Sequence, residues 1–259
     1  MTWREPPVRE GLASLTWLAD ATEASLRSAL GAAAPELAGL ALRMNPALVS
    51  SNPLWWSATA VVDESFVVKF AWSKLRAVRL WREGVILRRL ERIGPALPIP
   101  EVAVVTTDPV LVATRMVPGV PLGGEWAWEL AGSQAQQAGR QVGTFLAQLH
   151  ALDAAQVWDG LPVVDPTPQG DTEMLRRRFP ALVDHRRGAL VQAWCEWVDA
   201  VLSDESPSPA VFVHGDLHGY NQVWDQAERR LVAVVDFGES GLWDPHFDRA
   251  PSDHLAEHQ

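Results

Sequence analysis

Cysteine is almost absent from the chain: Cys195 is the only one of 259 residues, so no internal disulfide can form. Its setting in LVQAWCEWV reads as a small apolar residue in a helix rather than a nucleophile. Long apolar runs are missing too. None approaches the roughly 20 residues that span a bilayer, and the start MTWREPPVRE lacks the basic-then-apolar order of a signal peptide. No membrane partner is expected, and the cytoplasm is the expected compartment. Positive charge is in deficit, with 22 Lys and Arg against 32 Asp and Glu and a net charge of −10. That balance argues against a general nucleic-acid binder and suits a cationic partner. Thirteen tryptophans, scattered from Trp3 to Trp243, form neither a stacking motif nor a repeat. What the chain does have is a 47% hydrophobic content, enough for an ordinary packed core in one large domain or two lobes.

The first forty residues read as helical, with Leu12, Leu15, Leu18, Leu26 and Leu30 at roughly helical intervals and breaks at Gly31 and Pro35. From Leu40 to Phe70 the pattern changes to strand, ending in a hairpin with arms near 55–62 and 66–70 around Asp63-Glu64-Ser65. Alternation puts Phe66, Val68 and Phe70 on one face and Val67, Lys69 and Ala71 on the other. Lys69 is then either a solvated edge lysine or a residue turned toward a partner. A helix follows over about 73–93, and its apolar stripe Leu80, Leu87 and Leu90 contains Glu83. A carboxylate on that stripe needs a cation, for which Lys69 is the candidate; the alternative is a partly exposed Glu83 beside Arg82 or Arg79. Two short strands near 101–106 and 110–115 complete a small sheet, and RMVPGVPL reads as a stiff connector. A second, mainly helical half begins near Pro118. Its helices fall near 133–151, with Val142, Phe145, Leu146 and Leu149 on the apolar face, and near 187–203, with Leu190, Trp194, Trp197, Val198 and Val201. Arg176, Arg177 and Arg178 read as a solvated helix face, and SDESPSP as a surface linker.

The densest chemistry lies in VFVHGDLHGYN, residues 211–221, followed fifteen positions later by Asp236 in LVAVVDFG. A loop between two strands can gather Asp216, Asn221 and Asp236. Phosphoryl transfer asks of a protein mainly positioning and charge neutralisation. Asp216 suits the acceptance of a proton from an attacking hydroxyl, while Asn221 and Asp236 offer hard oxygen ligands to magnesium, which bridges the phosphates of ATP. His214 reads as a brace for the loop. Gly, Asp and Asn are also ordinary turn residues, so either fragment alone has a bland reading.

The set HxDxxxxN followed by DFG resembles the catalytic and metal-binding segments of the protein-kinase superfamily. HGD in place of HRD, with LHGYN behind it, is similar to the aminoglycoside phosphotransferase branch, which includes macrolide, choline and homoserine kinases. The resemblance covers about Leu40 to Asp248. It implies an α+β, two-lobed protein-kinase-like fold, with an N-terminal antiparallel sheet plus a helix in residues 1–117 and a larger, mainly helical C-terminal lobe in 118–259. It also implies ATP and Mg as cofactors, a phosphate-contacting Lys69 paired with Glu83, and a hinge at Arg115, Met116 and Val117 in which the Arg115 carbonyl and Val117 amide hold adenine. The implied partner is a small hydroxylated acceptor, with an aminoglycoside or related antibiotic first. Oligomeric state is not legible.

Two departures from the family pattern stand out. The loop expected over the phosphates is SSNPLWW, with no glycine, leaving Ser51 and Asn52 as the donors available there. Few residues follow GLWDPHFD, so the tail RAPSDHLAEHQ reads as poorly ordered and the acceptor side as shortened. Two rival readings follow. One is a nucleotide-binding protein without transferase activity; the other is a hydrolase whose transition metal sits on His214, Asp216 and His218.

Overall fold

The computed structural model describes residues 8–20, 22–44, 58–123, 130, 132–162, 172–178, 184–204 and 210–248. The chain divides into two compact units, one of residues 1–162 with 210–259 and one of 163–209. The expected positions Ser51 and Asn52, the loop holding them and the tail after Asp248 lie outside the described residues.

The larger unit opens with three helices, α1 (Val8–Ala13), α2 (Glu23–Ala33) and α3 (Pro35–Ala38). Two details differ from the helical reading. Gly31 does not break α2, which runs on to Ala33. Leu15 and Leu18 lie outside α1, because this segment spends its amides on the neighbouring sheet region: Thr16 donates to Thr107 and Leu18 to Ala71. Strands β1 (Leu42–Met44), β2 (Ala58–Val62), β3 (Phe66–Phe70), β4 (Val102–Val105) and β5 (Leu111–Arg115) form one antiparallel sheet in the order β1-β2-β3-β5-β4. The hairpin between β2 and β3 turns where expected, with Asp63 and Glu64 in the left-handed region at φ 52° and 48°.

Alternation along the strands gives the sheet two apolar faces. Val68, Phe70, Leu111 and Ala113 pack with Leu26 and Leu30 of α2. Val110 and Val112 belong instead to the core containing Leu80, Leu87 and Leu90 of α4 (Lys74–Ile93). Ser73 caps α4, its hydroxyl accepting from the Arg76 amide at 3.2 Å.

Past the connector, β6 (Val120–Pro121), α5 (Gly132–His150) and α6 (Ala154–Trp158) precede the smaller unit. Val142, Phe145, Leu146 and Leu149 of α5 are buried as their spacing predicts. The chain re-enters the larger unit with β7 (Val211–Val213), β8 (Gln222–Asp225), β9 (Arg230–Val234) and β10 (Gly241–Trp243). β7 pairs with β10, and β6, β8 and β9 form a three-stranded sheet.

The smaller unit holds α7 (Thr172–Arg178) and α8 (His185–Asp204). Its packing departs from the apolar stripe read in the sequence. Leu190, Trp194 and Trp197 are exposed, whereas Cys195 is buried. The reason is the side of α8 that meets α7: Asp199, one turn beyond Cys195, accepts from Thr172 at 2.7 Å and from Arg176. Among the described residues no helix is long and apolar enough to cross a membrane.

Candidate active site

Lys69 is the fourth of the five residues of β3, on the face opposite Phe70. Its ammonium lies 2.7 Å from Glu83 Oε1 and 2.9 Å from Asp236 Oδ1, so one lysine ties strand, helix and the end of β9 together. Glu83 is buried at 3% side-chain exposure. Burial pushes its carboxyl above the ordinary value, with the lysine acting against that push. Burial also opposes the charge on Lys69, but Asp236 and Glu83 outweigh it and hold the ammonium well above the usual lysine range. At Asp236 burial again raises the carboxyl, but the charge and hydrogen bond of Lys69, with Arg76 and His214 behind them, outweigh it and leave Asp236 well below the usual carboxylate range.

Glu83 reaches Lys69 because α4 comes close to the sheet. A Cβ on Gly84 would stand 2.9 Å from methyl carbons of Val105 and Val112, so only glycine fits that approach. The same helix grips the segment after Asp236. Arg79 pairs with Glu239 at 2.7 Å, and Arg82 donates to the Gly238 carbonyl while lying 5.4 Å over the Trp158 ring. Burial, resisted by Glu239, brings Arg82 down to about 10. Asp236 itself adopts φ 67°, ψ 65°, a left-handed conformation that Asp tolerates better than most residues.

The loop after β7 brings the rest. Gly215 has φ 83°, and a Cβ there would come 2.4 Å from the Glu239 carbonyl oxygen, so the middle residue of HGD must be glycine. His214 is fully buried and braces the loop: its Nδ1 accepts from the Asp216 amide at 3.2 Å and its Nε2 faces the Val235 carbonyl at 3.0 Å. That arrangement fits a neutral ring donating from Nε2, and burial lowers its pKa. Asn221 donates from Nδ2 to the Asp216 carbonyl at 2.8 Å and to Asp216 Oδ2 at 3.2 Å, which leaves its Oδ1 as an oxygen donor. Asp216 is half-exposed; partial burial raises its pKa despite His218, whose Nε2 lies 3.5 Å away.

Asp216, Asn221, Asp236, Lys69 and Glu83 line one cavity of about 510 Å³, together with Arg115, Met116 and Val117. Backbone hydrogen bonds fix this segment: the Arg115 amide donates to the Glu101 carbonyl and the Met116 amide to the Ser65 carbonyl, both at 2.8 Å. Asn221 and Asp236 fit a magnesium ion by donor chemistry, two hard oxygens on the wall of a cavity that also has room for phosphates. Among the described residues, no three His, Cys, Asp or Glu side chains gather to hold a metal. The hydrolase reading fails on this point, because both ring nitrogens of His214 are already committed to backbone.

Two site residues, Arg76 and Asp248, carried no role in the sequence reading. Arg76 also lines the cavity, and Arg76, Arg79 and Arg82 share an i, i+3, i+6 row that helical spacing could have shown. Asp248 is wholly buried and holds the loop after β7, accepting from the His214 amide at 2.9 Å, from the Gly215 amide at 2.8 Å and facing His150 Nε2 at 2.9 Å. No local pattern announced it.

Known proteins resemble this chain in sequence and in fold. Viomycin phosphotransferase of Streptomyces vinaceus is 30% identical over 201 residues, covering 73% of this chain and 67% of that protein. The GDP complex of wild-type aminoglycoside 2'-phosphotransferase IIIa superimposes with a TM-score of 0.72 at 16% identity, over 91% of this chain and 79% of that one. The ternary complex of streptomycin, ATP and a 2''-aminoglycoside phosphotransferase gives 0.64 at 21%, over 88% and 74%. These likenesses show the fold, a two-lobed protein-kinase-like α+β architecture with an antiparallel N-terminal sheet. The model of the phosphotransferase enzyme family matches residues 48–251. On that match over most of its length, the chain belongs to the phosphotransferase enzyme family, and it is a phosphotransferase.

Proposed function

We propose that this phosphotransferase moves the γ-phosphoryl group of ATP to a hydroxyl of an aminoglycoside or related antibiotic. The observation that carries the reading is the convergence of Lys69, Glu83, Asp236, Asn221 and Asp216 on one cavity of about 510 Å³. The nucleotide lies between an N-terminal lobe, 1–117, and a C-terminal lobe, 118–259. Its base meets the Arg115 carbonyl and Val117 amide beside Met116. Lys69, held by Glu83, contacts its phosphates, and Ser51 and Asn52 are the further donors proposed for them. Asn221 and Asp236 hold magnesium, which when bound neutralises phosphate charge.

Asp216 orients the acceptor hydroxyl and takes its proton as the oxygen attacks the γ-phosphorus. The bond from that phosphorus to the β–γ bridging oxygen breaks, giving the phosphorylated alcohol and ADP. The raised pKa of Asp216 favours this proton transfer, because a stronger base accepts more readily. Support for the acceptor class comes from the relatives named for viomycin and for aminoglycosides, and from the net charge of −10, which attracts cations. The cytoplasm, where ATP is abundant, is the proposed place of action.

Incubation with Mg-ATP and a panel of antibiotics and hydroxylated metabolites, read by mass, tests the reading. One acceptor should gain a single phosphoryl group, and Asp236→Ala should abolish the gain. Nucleotide binding with no transfer to any acceptor would favour a nucleotide-binding protein without transferase activity. Unchanged turnover of Asp236→Ala would remove the metal assignment.

A further inference from the structure

We propose that Arg76 is a second phosphate-binding residue of the cleft, supplying with Lys69 the fixed positive charge that holds the triphosphate. The inference rests on the nucleotide reading of the cavity given above.

The charge inventory of the cavity is the starting point. Its described lining has four carboxylates, Glu83, Asp216, Asp236 and Glu239, against three cations, Lys69, Arg76 and Arg115. A polyanionic phosphate chain therefore enters a wall that is negative on balance. Lys69 alone cannot reverse this, since its ammonium is shared between two carboxylates at 2.7 and 2.9 Å. Arg115 is at the hinge, 4.7 Å over the Phe66 ring and 4.0 Å from Glu101. Arg79 and Arg82, further along the same row of α4, are engaged by Glu239 and by the Gly238 carbonyl. Arg76 is the member of that row that lines the cavity, and it is 93% buried, at 7% relative exposure. Its charge is felt by both Asp236 and Glu83, which places it at the Lys69 end of the cleft.

The position of Arg76 on its helix points the same way. Helix N-termini carry partial positive charge and favour acids in the first turn. The first turn of α4 has no acid and begins with Lys74 and Arg76. The start of a helix favours anions, and a phosphate is such an anion. The need is sharper here because SSNPLWW, the segment in the position of a phosphate-covering loop, has no glycine to bring several amides close. A guanidinium also offers a fork that matches two phosphate oxygens at once.

Titration of the protein with Mg-ATP and with adenosine separates charge recognition from structure. Arg76→Gln should weaken Mg-ATP by about tenfold or more, the usual effect of losing a charge-assisted hydrogen bond. Adenosine should bind within about twofold of the parent, because it lacks phosphate, and Arg76→Lys should recover most of the Mg-ATP affinity. Equal losses for ATP and adenosine, the signature of a merely structural residue, would overturn the proposal. So would parental Mg-ATP affinity in Arg76→Gln. A second measurement needs no variant. In the parent protein with magnesium chelated, ATP should still bind at least as tightly as adenosine, and binding about tenfold weaker would count against fixed phosphate-binding charge. A parent protein that binds neither ATP nor adenosine would instead remove the nucleotide reading, and with it this inference.

Discussion

At the scale of single residues, the proposed chemistry and the proposed nucleotide binding fall to different side chains. Asp216 faces Asn221 and His218, while the Lys69 contacts run to Asp236 and Glu83. Asp216→Asn should therefore keep nucleotide affinity within a few-fold yet slow transfer by roughly 10²–10⁴, because the amide is nearly isosteric but cannot take a proton. Nucleotide titration beside a product assay checks both halves, and parental turnover would exclude the role. Lys69→Met makes a different prediction. It leaves Glu83 buried without its cation, a loss of about 3–5 kcal/mol in stability. The pH dependence follows from the directions of the shifts. In the parent, Lys69 is held above its ordinary 10.5, so its contribution is present below that value and is lost only as pH rises further. In the variant, Glu83, already raised by burial, rises further, and its penalty fades as pH falls through that raised value. The gap in melting temperature should be widest between neutral pH and 10.5 and narrow toward acid.

At the scale of elements, α4 is the part whose placement decides the site, since Glu83, Arg76, Arg79 and Arg82 all ride on it. Its closeness to β4 and β5 depends on Gly84. Gly84→Ala should cost about 1–3 kcal/mol from overpacking against Val105 and Val112 and should lower transfer by shifting Glu83 off Lys69. Gly139 in α5 is the control: it is exposed and a Cβ there meets nothing within 4 Å. Gly139→Ala should stabilise by about 0.5–1 kcal/mol with activity unchanged. Thermal melts and rates on both variants test the contrast. Helical periodicity alone had placed α4 within a residue or two and put Glu83 on its apolar stripe. It could not show the reach of the helix to the sheet, because that depends on a glycine facing two valines far away in sequence.

At the scale of the whole molecule, Asp248 joins the end of α5, the loop after β7 and the segment after β10. Asp248→Asn puts an amide nitrogen where one of two backbone N–H groups needs an acceptor, so it should cost about 1–3 kcal/mol and slow transfer more than it weakens nucleotide binding. Equal effects on the two would show a role beyond holding the loop. Local order explains what could be read from the amino acids alone. Strand alternation, helix stripes, the hairpin at Asp63 and the spacing of Asp216, Asn221 and Asp236 are set by near neighbours and by the residue types that phosphoryl transfer requires. The exposed Trp194 and Trp197 were misread because an apolar stripe does not say which neighbour it will meet; here α7 meets Asp199 instead. The Lys69–Glu83 pair could be read from the sequence, but tertiary structure alone decided that the same ammonium also meets Asp236, 167 residues away, and that Asp248 holds the backbone 33 and 34 residues before it. Such contacts carry no periodic signal, since they arise from how sheet, helix and loop pack, and packing is a property of the folded chain as a whole.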